Sequence, residues 1–129
     1  MKKLSVMLVE DNRDDNELAI RVLKKIGLRD ITVARDGLEA INMLHGNINS
    51  GVEPTSQPDI ILLDLRLPKI DGLDVLRRLL SDERTKDIKV FALTSSEDPR
   101  DIDVCNELGV IAFLSKPLKV DVALKLDLF

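Results

Sequence analysis

Five polar side chains each stand at the end of a short apolar run, and their types belong to one chemistry. Asp64 closes Ile60-Ile61-Leu62-Leu63, Glu10 and Asp11 close Leu4-Ser5-Val6-Met7-Leu8-Val9, Thr94 follows Val90-Phe91-Ala92-Leu93, and Lys116 comes two residues after Ile111-Ala112-Phe113-Leu114. An acid that terminates four apolar residues is carried to the rim of a buried strand. Three carboxylates gathered at one rim would repel pairwise by about 4 kcal/mol at ~4 Å and an effective dielectric of ~20, a cost that a divalent cation relieves. Oxygen ligands at a solvated cleft suit Mg²⁺ or Mn²⁺, and no His or Cys lies nearby in sequence for zinc. A carboxylate can itself attack phosphorus to give an aspartyl phosphate. A metal would then neutralise the phosphoryl group, Lys116 would pair with another of its oxygens and Thr94 would donate a hydrogen bond, so that catalysis is positioning and charge stabilisation.

Such a set needs strands that end together. Runs of four to six apolar residues alternate with segments of helical period, which predicts βα units wound around a parallel sheet. Leu18, Ala19, Val22, Leu23 and Ile26 predict a helix over about 14–26 that Gly27 ends. Ile31 to Ala34 reads as a second strand, and Asp36-Gly37 turns into a short helix carrying Leu38, Ala40, Ile41 and Leu44. Gly46 to Pro58 reads as the one long loop. A third helix follows Asp71-Gly72, and a fourth begins near Pro99, with Ile102, Cys105 and Leu108 inward and Gly109 as its stop. In the tail, Val120, Val122, Leu124, Leu126 and Leu128 alternate as in a strand, while βα alternation requires a closing helix; helix is the expectation. Its apolar residues on more than one side predict a partner surface. In open α/β sheets ligands bind beyond the carboxyl ends of the strands where the order reverses, and all five polar residues fall at such ends.

Length and composition bound the function. A chain of 129 residues suits one domain over 1–129, and its 44% apolar and 33% charged residues describe a soluble globule. A net charge of −4, from 19 basic and 23 acidic residues without a basic stripe, disfavours nucleic-acid binding. No apolar stretch is long enough for a membrane span or a signal peptide, which makes the cytoplasm the expected address. The lone Cys105, at an apolar position, is expected as a buried structural thiol.

The ordered set Val9-Glu10-Asp11-Asn12, Asp36-Gly37-Leu38-Glu39-Ala40, Asp64-Leu65-Arg66-Leu67-Pro68, Asp71-Gly72, Leu93-Thr94-Ser95 and Lys116-Pro117 resembles the response-regulator receiver domains of two-component signalling, over almost the whole chain. The resemblance implies a flavodoxin-like, doubly wound five-stranded parallel sheet in the order 2-1-3-4-5 with helices on both faces. It implies Asp64 as phosphoacceptor, Mg²⁺ held by Glu10, Asp11, Asp64 and the backbone carbonyl of Arg66, and phosphoryl contacts from Thr94 and Lys116. Thr94 and Phe113 correspond to the family's switch pair, with Phe113 lacking the hydroxyl of the Tyr often found there. Lys116-Pro117 corresponds to its cis peptide. Arg66 and Ser96 occupy positions that tune phosphoryl lifetime, and Arg66 implies a long one.

The reading that follows is a stand-alone receiver, not a turnover enzyme, that accepts a phosphoryl group from a sensor histidine kinase or phosphotransfer protein. It passes the signal by protein contact, through a phosphorelay, to a downstream protein or as a homodimer through the last helix-strand-helix face. Leu65 to Gly72 and the long loop also resemble the small regulators that serve bacterial phytochrome-type kinases. Two alternatives compete. A haloacid-dehalogenase-like phosphohydrolase also uses a strand-end Asp with Mg²⁺, but its second acid would fall where Arg66 stands; a degenerate receiver would be a constitutive interaction module. Plainer roles exist for single residues: Asp11 or Asn12 as cap of the first helix, and His45 as a surface residue at a helix C-terminus. Arg77-Arg78 and Lys86-Asp87-Ile88-Lys89 read as solvated faces.

Overall fold

The computed structural model describes residues 4–46, 51, 57–94 and 99–126. Five strands alternate with five helices: β1 (Ser5–Val9), α1 (Arg13–Lys25), β2 (Asp30–Ala34), α2 (Gly37–His45), β3 (Ile60–Asp64), α3 (Gly72–Leu80), β4 (Lys89–Thr94), α4 (Pro99–Glu107), β5 (Ala112–Ser115) and α5 (Val120–Ala123). All strand pairs are parallel, in the order β2-β1-β3-β4-β5. This is the doubly wound, flavodoxin-like arrangement expected. The order reverses between β1 and β3, so the cleft of the switch point opens beside Glu10, Asp11 and Asp64.

Strand alternation divides the core into two layers. Met7, Val9, Ile61, Leu63, Val90 and Ala92 face one way and pack with Ala40, Ile41 and Leu44 of α2, Val75, Leu76 and Leu79 of α3, and Cys105 of α4. Val6, Leu8, Ile60, Leu62, Phe91 and Leu93 face the other way and pack with Ala19 and Leu23 of α1, and with Leu118, Ala123 and Leu126 around α5. A sheet covered on both faces explains why β3 is apolar at every position before Asp64.

The helix ends follow local chemistry. Asn12 caps α1, its side chain accepting the Asp15 N–H. After α1 the Leu28 N–H bonds back to the Leu23 carbonyl and the Gly27 N–H to Lys24, with Gly27 at φ 97°, a left-handed residue that reverses the chain. Gly72 is needed for space instead of for its dihedral angle. A Cβ there would lie 2.5 Å from the Asp64 carbonyl oxygen and 2.6 Å from the Leu65 Cα, so the start of α3 can sit against the end of β3 only without a side chain.

Three details depart from the expected patterns. The buried stripe of α1 is Asn16, Ala19 and Leu23, while Leu18 is 43% exposed, because the 3.6-residue period runs through Ala19 and turns Leu18 outward. Leu38 of α2 is likewise exposed. The tail forms a helix, but of a single turn; Ala123 and Leu126, three apart, bury their side chains and Leu124 points to solvent. Leu128, Ser96 and most of the expected long loop lie outside the described residues.

Candidate functional site

β1 delivers Glu10 and Asp11 and β3 delivers Asp64 to adjacent positions, since Val9 pairs with Leu63 in register. Glu10 is fully buried. Its N–H donates to the Ala34 carbonyl of β2 at 3.0 Å, its Oε2 accepts the Asn12 N–H at 3.0 Å, and its carbonyl accepts Nδ2 of the buried Asn16 at 2.8 Å. Asp64, also buried, accepts the Arg66 N–H on Oδ1 at 2.9 Å. Asp11 is exposed, and because Asn12 supplies the helix cap, its carboxylate has no capping duty.

Lys116 enters from the end of β5. Its N–H donates to the Thr94 carbonyl at 2.9 Å, and the Lys116-Pro117 peptide is cis. The ammonium touches Glu10 Oε1, lies 2.9 Å from Asp64 Oδ2 and 3.4 Å from Asp15 Oδ2. Thr94, buried at the end of β4, is aligned with Ser115 in the register that sets Asp64 beside Leu93. Phe113 is half-buried beside Ala92 and packs against the core under α2, α3 and α4.

The electrostatics follow from burial. Loss of hydration pushes the Glu10 carboxyl up to about 7; the hydrogen bonds from Lys116 and Asn12 offset part of this, and the neighbouring Asp64 adds to it. Burial acts against the Lys116 ammonium, but its hydrogen bonds to Glu10 and Asp64 outweigh that and hold its pKa above the usual value. One carboxylate oxygen from each of Glu10, Asp11 and Asp64 lies within 4.8 Å of the others. At that separation each pair of ionised carboxylates repels by about 3.5 kcal/mol at an effective dielectric of ~20. The three carboxylates offer an all-oxygen donor set at a cleft, which fits a divalent cation.

Sequence reasoning did not single out three neighbours. Asp15 is one turn of helix after Asp11, which alone could have placed it at the site. Asn16 falls on the buried stripe of α1 four residues before Ile20, a polar residue in apolar register. Asp101, in the first turn of α4, holds the Arg66 guanidinium at 2.5 Å, and nothing in the sequence links positions 35 apart. His45 does not bond its own helix end: its Nε2 meets Thr85 Oγ1 at 3.0 Å, well away in sequence, and burial lowers its pKa. Cys105 is fully buried, as expected of a structural thiol.

A protein-family model described as the response regulator receiver domain matches residues 6–126. The chain belongs to the response regulator receiver family. It is 37% identical over 112 residues to the response regulator Rcp1 of Synechocystis sp., covering 86% of this chain and 75% of that protein. The polar-differentiation response regulator DivK of Brucella ovis is 34% identical over 116 residues, covering 90% and 86%. Among solved structures, the bacteriophytochrome response regulator AtBRR superposes with a TM-score of 0.82 at 39% identity, covering 97% of this chain and 90% of that one. The Mn²⁺-bound form of Rcp1 superposes with 0.81 at 34% identity, covering 93% and 86%. This receiver is a signalling module homologous to phosphoacceptor response regulators, which favours the receiver reading over the phosphohydrolase. Its acidic cluster, like the Mn²⁺-bound relative, fits divalent metal binding. Receivers of this family work with histidine kinases or phosphotransfer proteins and with downstream targets. No helix among the described residues is long and apolar enough to cross a membrane.

Proposed function

We propose that Asp64 is the phosphoacceptor of a receiver domain spanning residues 1–129. The observation that carries this is the Lys116 ammonium between Asp64 Oδ2 and Glu10, with Asp11 completing a three-carboxylate cluster. A carboxylate oxygen of Asp64 attacks the phosphorus of a phosphohistidine; the new bond is an acyl phosphate, the P–N bond breaks, and the imidazole nitrogen takes up a proton. Glu10, Asp11, Asp64 and the Arg66 carbonyl would hold Mg²⁺ or Mn²⁺, which when bound would supply positive charge against the phosphoryl oxygens. Lys116 transfers its contact from Asp64 to a phosphoryl oxygen, and Thr94 donates its hydroxyl proton to another. Thr94 and Phe113 form the switch that carries this state to the α4–β5–α5 face.

The donor is a sensor histidine kinase or a phosphotransfer protein, and the similarity to the bacteriophytochrome response regulator AtBRR supports a phytochrome-type kinase. The output is protein contact, either with a downstream target or as a homodimer through the α4–β5–α5 face, where Ile111 and Leu124 are exposed apolar side chains. No direct nucleic-acid or membrane contact is part of this function, and the protein acts in the cytoplasm. It turns over no external substrate: self-phosphorylation and autodephosphorylation are its only reactions. Incubation with acetyl phosphate and Mg²⁺ should add one phosphoryl group by intact mass, labile to base and to hydroxylamine, and Glu10→Gln should need more Mg²⁺ for the same yield. An unlabelled wild-type protein would refute the proposal.

A further inference from the structure

Arg66 joins two parts of the molecule. Its N–H donates to Asp64 Oδ1 at 2.9 Å, while its guanidinium reaches Asp101 Oδ2 in the first turn of α4 at 2.5 Å. The Asp101 side chain is 17% exposed and that of Arg66 59%, so the pair lies at the edge of the cleft. The other cation of the loop between β3 and α3, Lys69, pairs instead with Asp36, at 3.4 Å.

We propose that Asp101 is a positioning residue for the phosphoryl group: it holds the Arg66 guanidinium against α4 while Asp64 is free, and releases it to the phosphoryl oxygens once Asp64 is modified. This rests on the assignment of Asp64 as acceptor. An acyl phosphate places up to two charges and three acceptor oxygens within two residues of Arg66. The planar fork of a guanidinium pairs with two such oxygens at once, whereas Asp101 is a single negative charge. Asp101 keeps compensation after release, because an acid in the first turn of a helix is stabilised by the helix dipole. Guanidinium over the phosphoryl group shields it from the attacking water, and freed α4 loses a tie to the acceptor loop. Competition from Asp101 therefore shortens the phosphorylated state, and its strength sets the lifetime.

The test is a double-mutant cycle of Asp101→Asn and Arg66→Ala. Proteins loaded with acetyl phosphate and Mg²⁺ are freed of donor, and loss of the phosphoryl group is followed by intact mass; beryllofluoride affinity is measured by calorimetry in parallel. Asp101→Asn should lengthen the half-life and tighten beryllofluoride binding by about two- to five-fold, the range of a partly exposed ion pair. In the Arg66→Ala background the same substitution should change neither. An equal effect in both backgrounds, or no effect of Asp101→Asn in a wild-type protein that labels, overturns the role of Asp101 alone. A wild-type protein that does not label overturns the Asp64 assignment and this inference with it.

Discussion

Replacing Lys116 by Met leaves the buried acids without their cation, and the consequence can be worked from the contacts. The ammonium touches Glu10, which is fully buried, and lies 2.9 Å from Asp64, which is 3% exposed. Removing one partner of a buried ion pair costs ~3–5 kcal/mol because the remaining charge is uncompensated. Exposed Asp11 and the open cleft admit water, so the lower end applies: about 3 kcal/mol in EDTA at pH 8, or roughly 10 °C in Tm for a chain of this size. Two dependences identify the cause. Without Lys116 the Glu10 pKa rises further above about 7, so at pH 6 that carboxyl is neutral and the loss should shrink. A divalent cation faces no competing ammonium in the variant, so saturating Mg²⁺ should raise its Tm more than it raises that of wild type. Denaturation followed by far-ultraviolet circular dichroism, at both pH values with EDTA or Mg²⁺, reads all four quantities. Wild-type stability for Lys116→Met in EDTA at pH 8, or a smaller Mg²⁺ increment than wild type, would refute the reasoning.

Further outcomes follow from the same geometry. Glu10 ionises at about 7 when folded against an ordinary 4.5, so its contribution to stability is complete below about 4.5 and is lost as pH rises through 7. His45, with a lowered folded pKa, acts in the opposite sense, losing stability as pH falls. Cation affinity separates the two: calorimetric Mg²⁺ affinity should fall by about tenfold per pH unit below 7, with proton release on binding, and Glu10→Gln should abolish that dependence. Gly72→Ala drives a methyl group into the Asp64 and Leu65 backbone, so urea denaturation should show a loss of about 2 kcal/mol and Mg²⁺ binding should weaken as β3 is displaced. Unchanged values in either measurement would show that the α3 start has room to shift.

The sequence showed the sheet well because both its faces are covered: β3 and β4 are unbroken apolar runs, and the polar residues that end them announce the rim. Helix faces were less legible. Leu18 and Ala19 are adjacent and both apolar, and only packing against Leu23 and α5 decides which turns inward. The site was read from residue types at strand ends, and parallel register places Glu10, Asp11, Asp64, Thr94 and Lys116 at neighbouring ends. Asp101 escaped because its meeting with Arg66 depends on how α4 docks, a tertiary relation with no local period. Asn12 against Asp11 as the cap was also open until the Asn12 to Asp15 hydrogen bond decided it. The tail kept its ambiguity for a physical reason: among its described residues the single turn of α5 and the residues after it bury Ala123 and Leu126, too few positions to overwrite an alternating pattern.

The central claim is that Asp64 itself becomes the acyl phosphate. After loading with acetyl phosphate and Mg²⁺, borohydride reduces an aspartyl phosphate to homoserine, and peptide mass mapping locates it. Homoserine at position 64 in wild type, and none anywhere in Asp64→Asn, is the predicted result. Homoserine at another acid, or equal labelling of Asp64→Asn, would contradict the account.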